Sequence, residues 1–182
     1  MKNSIYILGG GGHAKVIISI LKSLNNYTIL GYVDIIDRGT ILGVNYSQND
    51  EDLLQNEGVN LVVGLSYGNN IYDSQRERVI RKFENHNFIF PVIISPSALL
   101  KEEVEIGRGT VIMDNSLINP SCNIGEFCII NSRVIIEHDV QVGSFSQISP
   151  GGIICGDVQI GKNCFIGAWT VINDGISVVK CG

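Results

Sequence analysis

The sequence predicts two folded parts in series: a Rossmann-like α/β half, then an all-β half wound as a parallel β-helix. Three observations predict it. Short apolar runs alternate with amphipathic helical patterns up to residue 93. The first of those runs ends in four consecutive glycines, Gly9 to Gly12. Beyond them, Ile or Val recurs at every sixth residue.

The first half reads as β-α-β-α-β-α-β, the order of a small parallel sheet. "SIYIL" (residues 4–8) is a strand, and "GGGG" is its turn. "HAKVIISILKSL" (13–24) spaces Val16, Ile17, Ile20, Leu21 and Leu24 as one helical face. "TILGYVD" (28–34) is a second strand, ending at Asp34. "DEDLLQNEG" (50–58) is a helix before the third strand "NLVVGL" (60–65), and "GLSYGNN" follows at that strand's carboxyl edge. "DSQRERVIRKFENHN" (73–87) is a charged amphipathic helix carrying His86 on its surface, and "FIFPVI" (88–93) is the last strand.

The second half keeps a different beat. Stepping by six from Ile106 to Val178 meets thirteen positions, every one Ile or Val, and stepping back meets Leu100 and Ile94. Two residues before the beat stands a small side chain, as at Thr110, Ser116, Cys122, Cys128, Ser146, Gly152, Cys164 and Thr170. Glycine often follows it, as at Gly107, Gly125, Gly143 and Gly161. In a β-helix the beat residue points inward and stacks on its equivalents in neighbouring coils, and the small residue shares that interior. The glycine supplies the backbone angles of the corner. Three hexads close one coil, so residues 104–182 span a little over four coils.

Composition removes several functions. A net charge of −5 provides no basic patch for nucleic acid. No apolar run approaches the roughly 20 residues of a membrane helix, and the glycine-rich N-terminus is not a signal peptide, so a cytoplasmic protein is expected. The five cysteines include no C-x-x-C and histidines number only three, so no metal site is expected and the thiols are read as free. Cys122, Cys128 and Cys164 fall on small inward positions, as core filler.

One hexad stands out. In "VIIEHDVQVG" the beat is Ile136, so Glu137, His138 and Asp139 occupy a corner and face outward. A solvated polar corner is one reading; a displayed imidazole beside two carboxylates is a general base in waiting.

The GGGGHAK opening, the small α/β half, the unbroken hexads and "INSRVIIEHDVQVG" together resemble the sugar acetyltransferases of the PglD/NeuD type, over essentially the whole chain. The resemblance implies a left-handed β-helix, against the usual handedness of parallel connections, and assembly as a homotrimer. It divides the chain into a nucleotide-sugar-binding domain (1–93) and an acyltransferase domain (94–182). It implies acetyl-CoA as co-substrate and no metal. The acceptor is the 4-amino group of a UDP-linked sugar; a sialic acid hydroxyl is the alternative acceptor, and a non-catalytic nucleotide-binding scaffold the alternative outside enzymes. By the same resemblance His138 takes the amine's proton, with Asp139 or Glu137 orienting it. Asn131 contacts the sugar, or is simply a corner Asn in left-handed backbone. Gly156 turns its N–H to the acetyl carbonyl, or is simply a corner glycine. Gly143 and Gln147 belong to the acetyl-CoA site; Gln147 stands where many members carry a second histidine. The chain ends at "VVKCG" inside a coil, so an incomplete last coil, and with it part of the CoA site, is expected. Exposed apolar residues such as Phe127 and Phe145 are expected to be covered by the trimer.

The glycine loop has a second reading. Gly9, Gly11 and Ala14 form G-x-G-x-x-A between a strand and a helix, with Asp34 twenty residues after Ala14. One such unit matches half of an NAD site but the whole of what a UDP-sugar needs. Its pyrophosphate would lie over Gly10, Gly11 and Gly12 and the helix N-terminus, with His13 and Lys15 beside it. Asp34 would take a hydroxyl or the uracil.

Overall fold

The structure, a computed structural model, describes residues 2–55, 58–66 and 75–179. The chain falls into two compact units, Met1–Pro91 and Val92–Gly182.

The first unit holds β1 (Asn3–Leu8), α1 (Gly12–Leu24), β2 (Tyr27–Val33), β3 (Tyr46–Gln48), α2 (Asp50–Leu53), β4 (Asn60–Val63) and α3 (Gln75–Glu84). Its sheet is parallel with order β3-β2-β1-β4. The central β1 is flanked on both sides, and its Ile5 and Ile7 are fully buried, as are Ile17 and Ile18 of α1. Three expectations change. The edge strand β3 was hidden in "NYSQ", too short and polar to signal itself. "FIFPVI" is not a strand of this sheet: one bridge, Ile89 to Asn60, represents it, and Ile93–Ile94 already belongs to the second unit. Pro91 donates no N–H and cannot continue a ladder. The helix expected over residues 50–58 is a single turn. Asn56 and Glu57, residues 67–74 of "GLSYGNN" and the start of the next helix, and Cys181 lie outside the described residues. His86 sits past the end of α3, half-buried, with Nδ1 against the Lys82 carbonyl.

The second unit is a parallel β-helix of three five-stranded sheets. The first face stacks Ile93–Ile94, Val111–Ile112, Ile129–Ile130, Gln147–Ile148 and Phe165–Ile166. The second stacks Leu99–Leu100, Leu117–Ile118, Ile135–Ile136, Ile153–Ile154 and Val171–Ile172. The third stacks Glu105–Ile106, Asn123–Ile124, Gln141–Val142, Gln159–Ile160 and Ser177–Val178. Pairing joins each residue to the one eighteen further on, as in Ile136 to Ile154. The beat residues form one continuous core, and the helix begins a coil before residue 104.

The small inward residues do more than fill space. Thr110 Oγ1 donates to Gly125 O at 2.8 Å, Ser146 Oγ to Gly161 O at 2.8 Å, and Cys122 Sγ to Glu137 O at 2.9 Å. Each satisfies a corner carbonyl that no strand reaches. Cys122, Cys128 and Cys164 are buried, and burial pushes the Cys122 thiol pKa up; Cys155 is half-buried. In native buffer an alkylating reagent should therefore label Cys155 and spare these three until unfolding. Their rapid native labelling would contradict the inward register.

The corners correct the glycine argument. Left-handed backbone falls three residues after the beat, mostly at residues other than glycine: Ser121, Phe127, Arg133, Asp139, Phe145, Asp157, Asn163 and Trp169 have φ from +54 to +63°. That conformation costs roughly 1–2 kcal/mol per residue. Each is held by its N–H donating to the preceding coil, as Asp139 N to Pro120 O at 3.1 Å. The glycines directly after the beat serve stacking instead. A Cβ on Gly143 would stand 2.5 Å from the backbone of Gly161 and Lys162.

Phe127 and Phe145 are not an exposed patch. They are 0% and 4% exposed and stack on each other, ring centroids 5.2 Å apart, with Arg108 over the Phe127 ring. Phe127 also covers Gly109, where a Cβ would meet the ring at 2.4 Å. Exposed apolar residues lie elsewhere, among them Leu99 and Val171 on the second face and Phe165 on the first.

Candidate active site

His138 stands at the corner between the second and third faces, in the turn after Ile135–Ile136. Its side chain is 62% exposed. Nδ1 is 2.8 Å from Asp139 Oδ2, so Nδ1–H donates to that carboxylate and the Nε2 lone pair is left as the basic site. Nε2 makes no hydrogen bond among the described residues. The Asp139 hydrogen bond raises the imidazole pKa above its usual value; desolvation opposes it, and the charges of Asp139, Glu137 and Asp174 add to it. Of the two flanking acids, Asp139 is the one paired with His138. Glu137 points back along the stack, where its Oε2 accepts from Asn119 Nδ2 at 3.0 Å.

Eighteen residues on, Gly156 lies in the next coil against the imidazole. A Cβ there would stand 2.7 Å from His138 Cε1 and 2.8 Å from Nε2. Gly156 is therefore glycine because a ring occupies that space. Its N–H faces the outer edge and donates to Asp174 Oδ1, one coil further, at 3.0 Å. An imidazole with a free nitrogen beside an outward amide fits a thioester whose carbonyl must be polarised while a nucleophile loses a proton. Asp174 and Asn119 were missed in the sequence, although stepping eighteen from His138 reaches Gly156 and then Asp174.

The first unit carries its own site. After β1 the chain turns through Gly9 at φ +102°, where a Cβ would collide with Leu65 at 2.6 Å. α1 starts at Gly12 after an N-cap Gly11 that has no side chain to cap it, and carries no acid in its first turn, leaving its N–H groups for a ligand. Beside it is a cavity of about 470 Å³ lined by Gly10, Gly11, Gly12, Lys15, Arg38, Thr40, Ile41 and Leu42. Asp34 holds this arrangement: its Oδ2 accepts from Gly10 N at 2.8 Å and Arg38 Nε at 3.1 Å. Burial raises its pKa, but the bonds from Gly10, Arg38 and Ile36 outweigh that and lower it. Arg38, missed in the sequence, brings the cavity a second cation beside Lys15. His13 brings none. Its Nε2 is buried without a partner, and burial, with Arg76 nearby, lowers its pKa to about 3.

Residues 4–83 match the family described as PglD N-terminal domain, and residues 139–174 match the bacterial transferase hexapeptide (six repeats). The chain therefore carries a PglD N-terminal domain followed by bacterial transferase hexapeptide repeats. The acetyltransferase domain of PglB from Neisseria gonorrhoeae FA1090 shares the fold, with 23% identity, a TM-score of 0.81, and coverage of 98% of this chain and 89% of that one. The same domain solved with acetyl coenzyme A is 22% identical, with a TM-score of 0.82 over 99% and 97% of the two chains. PerB from Caulobacter crescentus, solved with CoA and GDP-perosamine, is 27% identical with a TM-score of 0.78 over 98% and 94%. No curated protein sequence matches the chain significantly.

Within one copy of the chain, only part of the expected site is gathered. His138, Asp139, Glu137 and Gly156 share one corner. Asn131 lies on the corner between the first and second faces, at the opposite edge of the second face, and its backbone is not left-handed. Gln147 is buried on the first face. Gly143 lines a groove of about 490 Å³ on the third face, together with Gln141, Gln159 and Lys162. Among the described residues no cluster of three or more His, Cys, Asp or Glu is placed to hold a metal, and no helix is long and apolar enough to cross a membrane.

Proposed function

We propose that the protein transfers an acetyl group from acetyl-CoA to the amine of a nucleotide-linked amino sugar, with His138 as general base. The observation that carries the reading is the free Nε2 of His138, aligned by Asp139 and set against the outward Gly156 amide. Nε2 accepts a proton from the protonated sugar amine, which frees the nitrogen lone pair to attack the thioester carbonyl. The C–N bond forms, the C–S bond breaks, the imidazolium returns its proton to the CoA sulfur, and the second proton of the attacking nitrogen leaves to solvent. The Gly156 N–H receives the carbonyl oxygen as charge develops on it. At the glycine loop, the α1 N-terminus, Lys15 and Arg38 take the pyrophosphate, while Asp34 fixes the loop and Arg38 rather than the ligand.

The nucleotide is taken as UDP and the amine as the sugar's 4-amino group, in the cytoplasm where acetyl-CoA is available. Supporting this class, the similar PerB enzyme is named a GDP-perosamine N-acetyltransferase. Thiol release from acetyl-CoA should be measured with UDP- and GDP-linked 4-amino sugars and with sialic acid. Turnover on an amino sugar supports the proposal. Turnover on sialic acid alone would make the protein an O-acetyltransferase, and none at all a binding scaffold.

We also infer a trimer. The outward residues of the second face are Leu99, Leu117, Ile135, Ile153 and Val171, an unbroken apolar ladder; Leu99 and Val171 are 61% and 58% exposed. This ladder, rather than the phenylalanines, is the surface to cover. A sugar touching both Asn131 and His138 also requires a second copy. Light scattering should give three times the chain mass, and Ile135→Asp should give monomers with little turnover. A native monomer with full turnover would contradict the inference.

A further inference from the structure

The amide best placed to receive the acetyl carbonyl is already taken within the chain. Gly156 N donates to Asp174 Oδ1 at 3.0 Å, across eighteen residues and one coil. The column His138, Gly156, Asp174 runs up one edge of the β-helix, at successive intervals of one coil. The same geometry recurs at the corner between the third and first faces, where Glu126 N donates to Ser144 Oγ at 3.1 Å. An amide two residues after the beat thus faces the outer edge of the next coil, where a short acceptor side chain can meet it. Above Gly156 that acceptor is a carboxylate, the strongest neutral-pH acceptor a side chain offers. Asp174 is exposed, and no ion pair holds it among the described residues.

We propose that Asp174 sets donor selectivity: its carboxylate occupies the Gly156 amide in the free protein, and the acetyl carbonyl must displace it. The inference rests on the reading of Gly156 as the carbonyl-binding amide. A carbonyl is a weaker acceptor than a carboxylate, so the exchange lowers the affinity gained from the acetyl group. CoA itself has no acetyl carbonyl and leaves the Gly156–Asp174 bond in place. Asp174 therefore weakens acetyl-CoA binding but not CoA binding, and narrows the preference for donor over product. Once displaced, the carboxylate lies on the same edge as the His138 imidazole, where it favours a cationic acceptor such as a protonated sugar amine.

The test is calorimetric titration of acetyl-CoA and of CoA into the native protein, Asp174→Ala and Asp174→Asn. The readout is the ratio of the two Kd values. In Asp174→Ala the amide is released, and the preference for acetyl-CoA over CoA should rise on the order of three- to tenfold. Asp174→Asn keeps a neutral acceptor and should fall between Ala and native. A stack loosened by loss of the side chain would move both affinities together and leave the ratio unchanged, which would overturn the proposal. Failure of the native protein to bind either CoA species would overturn the acetyltransferase reading beneath it.

Discussion

His138→Ala should lower turnover at pH 7 on the order of 100- to 10,000-fold, the range over which positioned general bases contribute. The affinities for acetyl-CoA and for the nucleotide sugar should stay near native. The side chain is exposed at a corner whose backbone is held by neighbouring coils, through Asp139 N to Pro120 O and Asp157 N to His138 O, so its removal leaves the stack intact. Near-normal turnover would remove His138 from the mechanism. Loss of substrate binding together with turnover would make it a binding residue instead. Asp139→Asn should cost less, since the imidazole stays but loses the charge that orients it.

Gly156→Ala should lower turnover about ten- to a hundredfold without unfolding the protein. The backbone at Gly156 is not left-handed, so alanine is permitted by φ; the only collision is with His138 Cε1 and Nε2, at 2.7 and 2.8 Å. The imidazole must swing away, and a displacement of about 1 Å is enough for a loss of this size. Gly143→Ala is the contrast. There the new methyl meets the backbone of Gly161 and Lys162 at 2.5 Å, and backbone in a stacked coil cannot step aside. It should lower thermal stability by about 1–3 kcal/mol, as overpacking does. Calorimetry and turnover on the two variants separate the cases. A Gly156→Ala protein with native turnover would show that the ring has room elsewhere.

Much of this was legible because a hexad repeat is a covalent ruler. Once Ile136 was placed inward, His138 had to face outward, and Cys122, Cys128 and Cys164 had to share the interior. What the ruler does not give is what outward side chains meet. Phe127 and Phe145 were assigned to the outside by register, yet eighteen-residue spacing sets one ring over the other and Phe127 over Gly109. The glycines after the beat were visible, but their reason was not: coil-to-coil contact requires them, while the left-handed turn comes two residues later at Asp139 and its equivalents. Nor could sequence order choose between Glu137 and Asp139. The choice comes from Asn119, one coil below, which takes Glu137. In the first unit the fingerprint marked Asp34 as a contact for a ligand hydroxyl or the uracil, whereas its Oδ2 accepts from Gly10 N and Arg38 Nε within the chain; Arg38 itself depends on how the chain bends back after β2, where the Tyr32 hydroxyl accepts the Arg38 N–H at 2.8 Å.

The most direct test of the central claim, that an imidazole at this corner takes the proton of a sugar amine, is the ratio of native to His138→Ala turnover measured across pH. The Asp139 hydrogen bond raises the His138 pKa, so native activity should fall as pH drops through a value above the usual imidazole figure and level off above it. The variant depends on substrate amine that is already deprotonated, so its rate keeps rising with pH. The account predicts a ratio largest near neutrality that narrows by up to about tenfold per pH unit towards the pKa of the amine. A ratio that stays constant across that range would contradict it, because the histidine would then be acting through position and not through its proton.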